Sequence, residues 1–396
     1  MADGLKLNLK DAWLLKNAEG TFYEIKGKNS SGASFSWRSP IVITIDVSIS
    51  QTVSNLAIFS VNNSGQNADL RLDWGDGTTV IITTHQGFSF HSHTYSTSTG
   101  TYDLTVTPLS QFSNCYVASD LASIVEVKSF GSLVVENGVS QSSRFGGINL
   151  VSVPKSISPK IKSLFSVLNA PSLNNTFNDV NVTYWNVSNV NNFIGVFSDR
   201  VAFNQDVSGW DMSAATTING MFTNAQVFNQ DISTWDTSKV QDMERSFSDA
   251  FLFNQNISTW NTSKVNNTSF MFLRASSFNQ NISTWNTSSL INMNGMFQSA
   301  SAFNQDLGSW PINNVTTMTG LFDSSGMSTE NYSRTLIGWA NSHFAGNAKN
   351  NVTLGATGIT YNSTAYTTDN QFNDCVSARA YLVGTAGWNI TDAGAV

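Results

Sequence analysis

The chain has 396 residues, a net charge of −7 and only 12% charged side chains, about half the usual share of about 25%. Few Lys and Arg and no basic stripe argue against nucleic-acid binding, and no apolar run of about 18 residues provides a membrane span. Ser, Thr, Asn and Gly fill the gap, a composition that suits an all-β or repeat protein whose polar side chains cap turns.

Residues 1–40 form a front segment. Leu5, Leu7 and Leu9 alternate as in a strand, and Trp13, Leu14 and Leu15 make an apolar run of the kind that marks an interaction site when exposed. The segment reads as an attachment or oligomerisation element, or as an extra strand or two on the next domain. Its start lacks the charged-then-apolar form of a secretory leader. Residues 41–110 read as short strands: IVITIDVSI is β-branched, and LRLDWGDGTTVIITT is strand, Asp-Gly turn, strand, a direct hairpin signal.

From residue 111 the chain reads as stacked coils, degenerate at first and regular from about 186. The triplet Phe-Asn-Gln begins at Phe203, Phe228, Phe253, Phe278 and Phe303, a constant step of 25. Tryptophan follows seven residues later each time, at Trp210, Trp235, Trp260, Trp285 and Trp310, and a second aromatic line includes Phe222, Phe247, Phe272 and Phe297. A fixed period of this size marks a repeat architecture in which each unit buries its apolar face on its neighbours. Phe228, Trp235, Phe247, Phe253, Trp260, Phe272, Phe278 and Trp285 are the expected repeat core. Val240, Met243, Phe247 and Ala250 fall at spacings of 3, 4 and 3, which predicts a short helix in each coil; the β-rich ISTWNTS predicts one strand. Asn204, Asn229, Asn254, Asn279 and Asn304 predict a side-chain ladder to the backbone of the adjacent coil. Asn-x-Ser/Thr motifs at Asn256, Asn261, Asn281 and Asn286 recur at the same coil positions, so turn chemistry explains them better than glycosylation. Residues 326–396 form a C-terminal cap, with Tyr332, Leu336, Ile337 and Ala340 on one helical face.

No catalytic constellation is legible: there is no nucleophile with a base, no paired acids and no metal-ligand cluster. Asp206, Asp231 and Asp306 become Asn256 and Asn281 in the intervening copies, so their carboxylate is not required. The expectation is a non-enzyme with no cofactor and no metal. Cys115 and Cys375 stand in no metal or redox spacing and are expected as free thiols. What remains is binding, and the copies vary where the core does not hold them. Glu244, Arg245, Phe270, Arg274 and Gln298 are the candidate binding surface; the alternative is that these positions are unconstrained and solvated.

Two resemblances add to this reading. Asp73-Trp74-Gly75-Asp76-Gly77 with His93-Thr94-Tyr95 and Gly100-Thr101-Tyr102 resembles the polycystic-kidney-disease-type (PKD) domain, although Asp73-Trp74 departs from the usual aromatic pair. The resemblance implies an immunoglobulin-like β-sandwich and makes His93 a structural residue rather than a metal ligand. FNQDISTWDTSKVQDMERSFSDA and its copies resemble the BspA-like bacterial surface proteins with leucine-rich-type repeats of about 25 residues. Together they imply a mainly β chain: a PKD-like sandwich, a leucine-rich-repeat-like solenoid and a cap. The implied function is adhesive or structural, with a protein or glycan on a cell surface as partner. The expected location is the surface of a phage virion (fibre, spike or decoration), with virion or homo-oligomer assembly through residues 1–40. The alternative is a secreted or anchored bacterial adhesin, and a remote third is a solenoid enzyme acting on polysaccharide.

Overall fold

The computed structural model describes residues 26–28, 34–36, 41–46, 52–61, 70–82, 89–108, 114–118, 124–130, 149–157, 161–169, 175–363 and 370–396. Most of the front segment, including Trp13, Leu14 and Leu15, therefore lies outside the described residues. Strands β1 (Lys26–Lys28) and β2 (Ser34–Ser36) form a small antiparallel pair. Eight more strands come next: β3 (Ile41–Asp46), β4 (Thr52–Val61), β5 (Leu70–Asp73), β6 (Thr79–Ile82), β7 (Ser89–Thr94), β8 (Thr101–Pro108), β9 (Asn114–Ala118) and β10 (Ile124–Phe130). They make two antiparallel sheets, ordered β10-β3-β8-β5-β6 and β7-β4-β9. β9 and β10 continue these sheets past residue 110, where composition places the boundary. The Asp-Gly hairpin forms as the sequence predicts, with Asp73 opposite Thr79.

A polar clasp joins the two sheets. His93 of β7 reaches Asp76 of the β5–β6 turn, Nε2 to Oδ2 2.7 Å. Its ring stacks on Trp74 at 4.9 Å and meets Tyr95 edge-on at 4.7 Å, and the Tyr95 hydroxyl donates to the Trp74 carbonyl. Burial alone would raise the Asp76 pKa, but the Thr78 hydroxyl and N–H, with His93, hold it at about 2. Asp73 and Asp76 accept the N–H groups of Gly75 and Thr78, so both cap the turn.

β10 pairs with the first described residues of the coil stack. Glu126 forms a parallel bridge with Ser152, with Val127 N–H on Ser152 O and Val151 N–H on Val125 O, both 2.9 Å. Single-residue parallel bridges then run Asn192, Thr217, Asp242, Asn267, Asn292, Thr317. We number the coils one to six from these residues. The expected strand and helix are both replaced. ISTWNTS is a tight turn in which Trp260 N–H returns to Ile257 O, and this closure prevents an extended strand. Residues 243–250 form successive turns rather than a helix. Met243, Arg245, Phe247 and Asp249 donate their N–H groups to the next coil, while Ser246, Ser248 and Ala250 donate three residues back. Alternate amides thus leave the coil, and a helix would have kept them all.

The apolar columns lie inside this frame. Phe228, Trp235, Phe247, Phe253, Trp260, Phe272, Phe278 and Trp285 are all buried. Trp235, Trp260, Trp285 and Trp310 stack at 6.2–6.5 Å, within 7° of parallel. Each indole N–H donates at 3.0 Å to a carbonyl of the preceding coil, as Trp260 does to Ile232. The asparagine ladder is continuous: Asn229, Asn254, Asn279 and Asn304 each donate their backbone N–H to the side-chain oxygen of the preceding Asn.

Helix α1 (Thr329–Phe344), capped by Ser328, closes the stack by extending both ladders. Ser328 N–H takes the Asn304 side-chain oxygen, and Trp339 donates to Leu307 O at 3.0 Å. Tyr332, Leu336, Ile337 and Ala340 are buried beneath it. Strands β11 (Thr353–Gly355) and β12 (Asn389–Thr391) and helix α2 (Cys375–Gly384) complete the cap. There Arg379 grips Asp392 with two hydrogen bonds and the Tyr332 hydroxyl adds a third. Cys375 is a buried free thiol whose pKa burial raises to about 12; such a group is inert.

A candidate binding face on the turn edge

Two edges of the stack meet solvent, and they are built differently. On the first, exposed residues recur almost unchanged. Asp231, Asn256 and Asn281 accept the N–H two residues ahead, and Asp236, Asn261 and Asn286 do the same. The Asn-x-Ser motifs are therefore Asx turns. Thr234, Thr259 and Thr284 donate to carbonyls of the preceding coil. In Asp206 and Asp236 the Ser hydroxyl two residues on, then its N–H, lowers the carboxyl pKa; in Asp231 the N–H contributes most. Every repeated side chain named here has a backbone duty.

The second edge is the run of turns at 243–250 and its copies. The third residue of the turn has positive φ in every coil: Gly195, Gly220, Arg245, Phe270, Gly295 and Gly320 at +62, +59, +53, +56, +55 and +67°. Four coils meet this with glycine, which has no Cβ to clash. Coils three and four use Arg245 and Phe270 instead, and bulky residues in this region cost about 1–3 kcal/mol each.

These two side chains pack on each other. The Arg245 guanidinium lies 4.6 Å over the Phe270 ring. The ring in turn covers Gly295, where a Cβ would come within 2.5 Å of its Cε1. Glu244 accepts from the Asn267 amide at 3.0 Å and lies 3.5 Å from Arg245. Arg274 spans two coils to donate two hydrogen bonds to the Asp249 carboxylate, and these bonds raise its pKa. Gln298 O accepts Arg274 N–H, and the Gln298 side chain flanks Gly295. Glu244, Arg245, Phe270, Arg274 and Gln298 therefore form one patch across coils three to five.

Sequence reasoning passed over Phe251 and Leu252. Leu252 is 52% exposed and Phe251 half-buried. The matching residues of the next two coils are Ser276-Ser277 and Ser301-Ala302. The available signal was a bulky apolar pair at an outward position where the other copies carry the smaller Val201-Ala202, Gln226-Val227, Ser276-Ser277 and Ser301-Ala302.

Among the described residues, no group of three or more His, Cys, Asp or Glu is placed to hold a metal ion. No helix among them is long and apolar enough to cross a membrane. Residues 160–257 and 245–351 match the family described as "Mycoplasma protein of unknown function, DUF285", a repeat family related to the BspA-like surface proteins. The two overlapping matches span just under half of the chain. No curated protein and no solved structure matches it.

Proposed function

We propose that this chain is a non-enzymatic binding protein of surface type, in which a leucine-rich-repeat-like solenoid behind a PKD-type sandwich presents the turn edge of coils three and four to a partner. One observation carries the reading. Arg245 and Phe270 hold a backbone conformation that four sister coils give to glycine and the turn before coil one gives to the small Ser166, and strained backbone of this kind clusters at functional sites. Their mutual stacking returns about 0.5–1 kcal/mol at an exposed site, less than the strain they carry.

The family match favours the bacterial surface over the virion as the place of work, since the related proteins are surface proteins. Mass spectrometry of cell-surface fractions and of purified particles separates the two: recovery in particles alone returns the protein to the virion. The binding reading is tested by the double variant Arg245→Gly and Phe270→Gly. It should unfold at higher denaturant, by about 1 kcal/mol after the extra unfolded-state freedom of glycine, while fluorescently labelled protein loses attachment to cells. Undiminished attachment would refute it.

A further inference from the structure

Resting on that reading, we infer that the partner is a protein segment carrying carboxylates beside apolar side chains, docked on Arg245, Phe251, Leu252, Phe270, Leu273 and Arg274. Three observations lead there. The first is the layering of charge. Arg245 and Arg274 are 46% and 56% exposed, whereas their carboxylates Glu244 and Asp249 are 32% and 16% exposed. The guanidinium groups thus form the outer rim, on a chain of net charge −7, and an approaching carboxylate meets them first. Arginine presents donors in a planar fork that suits carboxylates.

The second is the apolar surface. Phe251-Leu252 replaces the Ser276-Ser277 and Ser301-Ala302 of the following coils, and Leu273-Arg274 stands where others have Ser248-Asp249 and Gln298-Ser299. Large residues gather in two adjacent coils of a repeat whose core is nearly invariant. Aromatic and Arg anchors at a local apolar centre are the usual energetic core of protein interfaces.

The third argues against a glycan. A sugar ring docks flat on an open aromatic face, whereas the Arg245 guanidinium lies over one face of Phe270 and Gly295 packs against the Cδ1–Cε1 side of its ring. Strand addition is also closed here, because the amides of this run are paired within or between coils.

The test uses the full chain with two probes: a random-peptide library displayed on yeast, and polygalacturonate as an acidic glycan. Two double variants are compared with the parent, Arg245→Ala with Arg274→Ala, and Phe251→Ser with Leu252→Ser. The second installs residue types that sister coils already carry at those positions, and near-UV circular dichroism confirms folding of both. Enriched peptides should combine Asp or Glu with Leu, Ile, Phe or Trp. Each double variant should weaken them about tenfold or more, and binding should fall with salt. Failure to enrich any peptide, or enriched peptides indifferent to both variants, would overturn the inference. Polygalacturonate binding that needs the arginines but not Phe251 and Leu252 would also overturn it, while leaving the face itself a binding site. Undiminished cell attachment by the double glycine variant sinks the underlying reading instead.

Discussion

The two solvent edges of the coil stack share one backbone and one period, yet they behave oppositely. The Asx edge repeats its exposed residues from copy to copy; the turn edge changes them. Repetition at Asp231, Thr234, Asp236 and their copies is explained by hydrogen bonds to the coil backbone. Change at Arg245, Phe270 and Arg274 has no such explanation and includes strained backbone. Within a repeat protein, then, an invariant exposed residue marks a structural duty, and a costly exception marks the surface to test for function.

The contrast can be broken at several strengths. The strongest probe is the shared core. Trp260→Ala should cost about 3–5 kcal/mol, as for other buried aromatic truncations, and Trp260→Phe about 1–3 kcal/mol because the Ile232 carbonyl loses its donor. Urea denaturation measures both; parent-like midpoints would mean the column is not the common scaffold of the two edges. Next comes the ladder. Asn254 accepts from both Asn279 N–H and the Gln280 amide, so Asn254→Ala should lose about 1–3 kcal/mol. By contrast, Phe251→Ser with Leu252→Ser should stay within about 0.5 kcal/mol of the parent, as expected of surface positions. Equal losses at the two sites would erase the distinction.

Coil four offers a change of opposite sign. Thr268 occupies a column otherwise filled by Phe193, Ile218, Met243, Met293 and Met318, and its buried hydroxyl has no hydrogen-bond partner. A small gap lined by Thr262, Trp285, Leu290 and Met296 adjoins it. Thr268→Met should therefore stabilise by about 1 kcal/mol, read as an upward shift of the thermal midpoint. Destabilisation would show that the gap is too small for the methionine its neighbours accept.

The subtlest effect is with acid. The carboxyls of Asp206, Asp211, Asp231 and Asp236, in coils one and two, are held below their ordinary value of 3.8 by hydrogen bonds from serine. Their support is present above that value and is lost as the pH falls through their lowered folded values. Coils three and four carry the neutral Asn256, Asn261, Asn281 and Asn286 at these places. Hydrogen exchange should accordingly quicken first in coils one and two below pH 3.8. Uniform quickening across the four coils would remove the aspartates from the account.

The period of 25, the columns of Phe and Trp, the asparagine ladder, the Asp-Gly hairpin and the face of α1 were all legible in the residues, because each rests on a spacing or on one side chain's local chemistry. Cooperative hydrogen bonding between coils was not. The 3-4-3 spacing of Val240, Met243, Phe247 and Ala250 suits a helix as well as a run of turns, and only stacked neighbours, by taking alternate amides, select the turns. The site was half legible. Variation between copies pointed to Glu244, Arg245, Phe270, Arg274 and Gln298. That Arg245 and Phe270 sit at positive φ and stack on each other comes from the register of adjacent coils. So does the burial of Asp249 beneath Arg274. A sequence specifies what repeats along the chain; which exceptions touch across 25 residues is decided by how the coils are laid on one another.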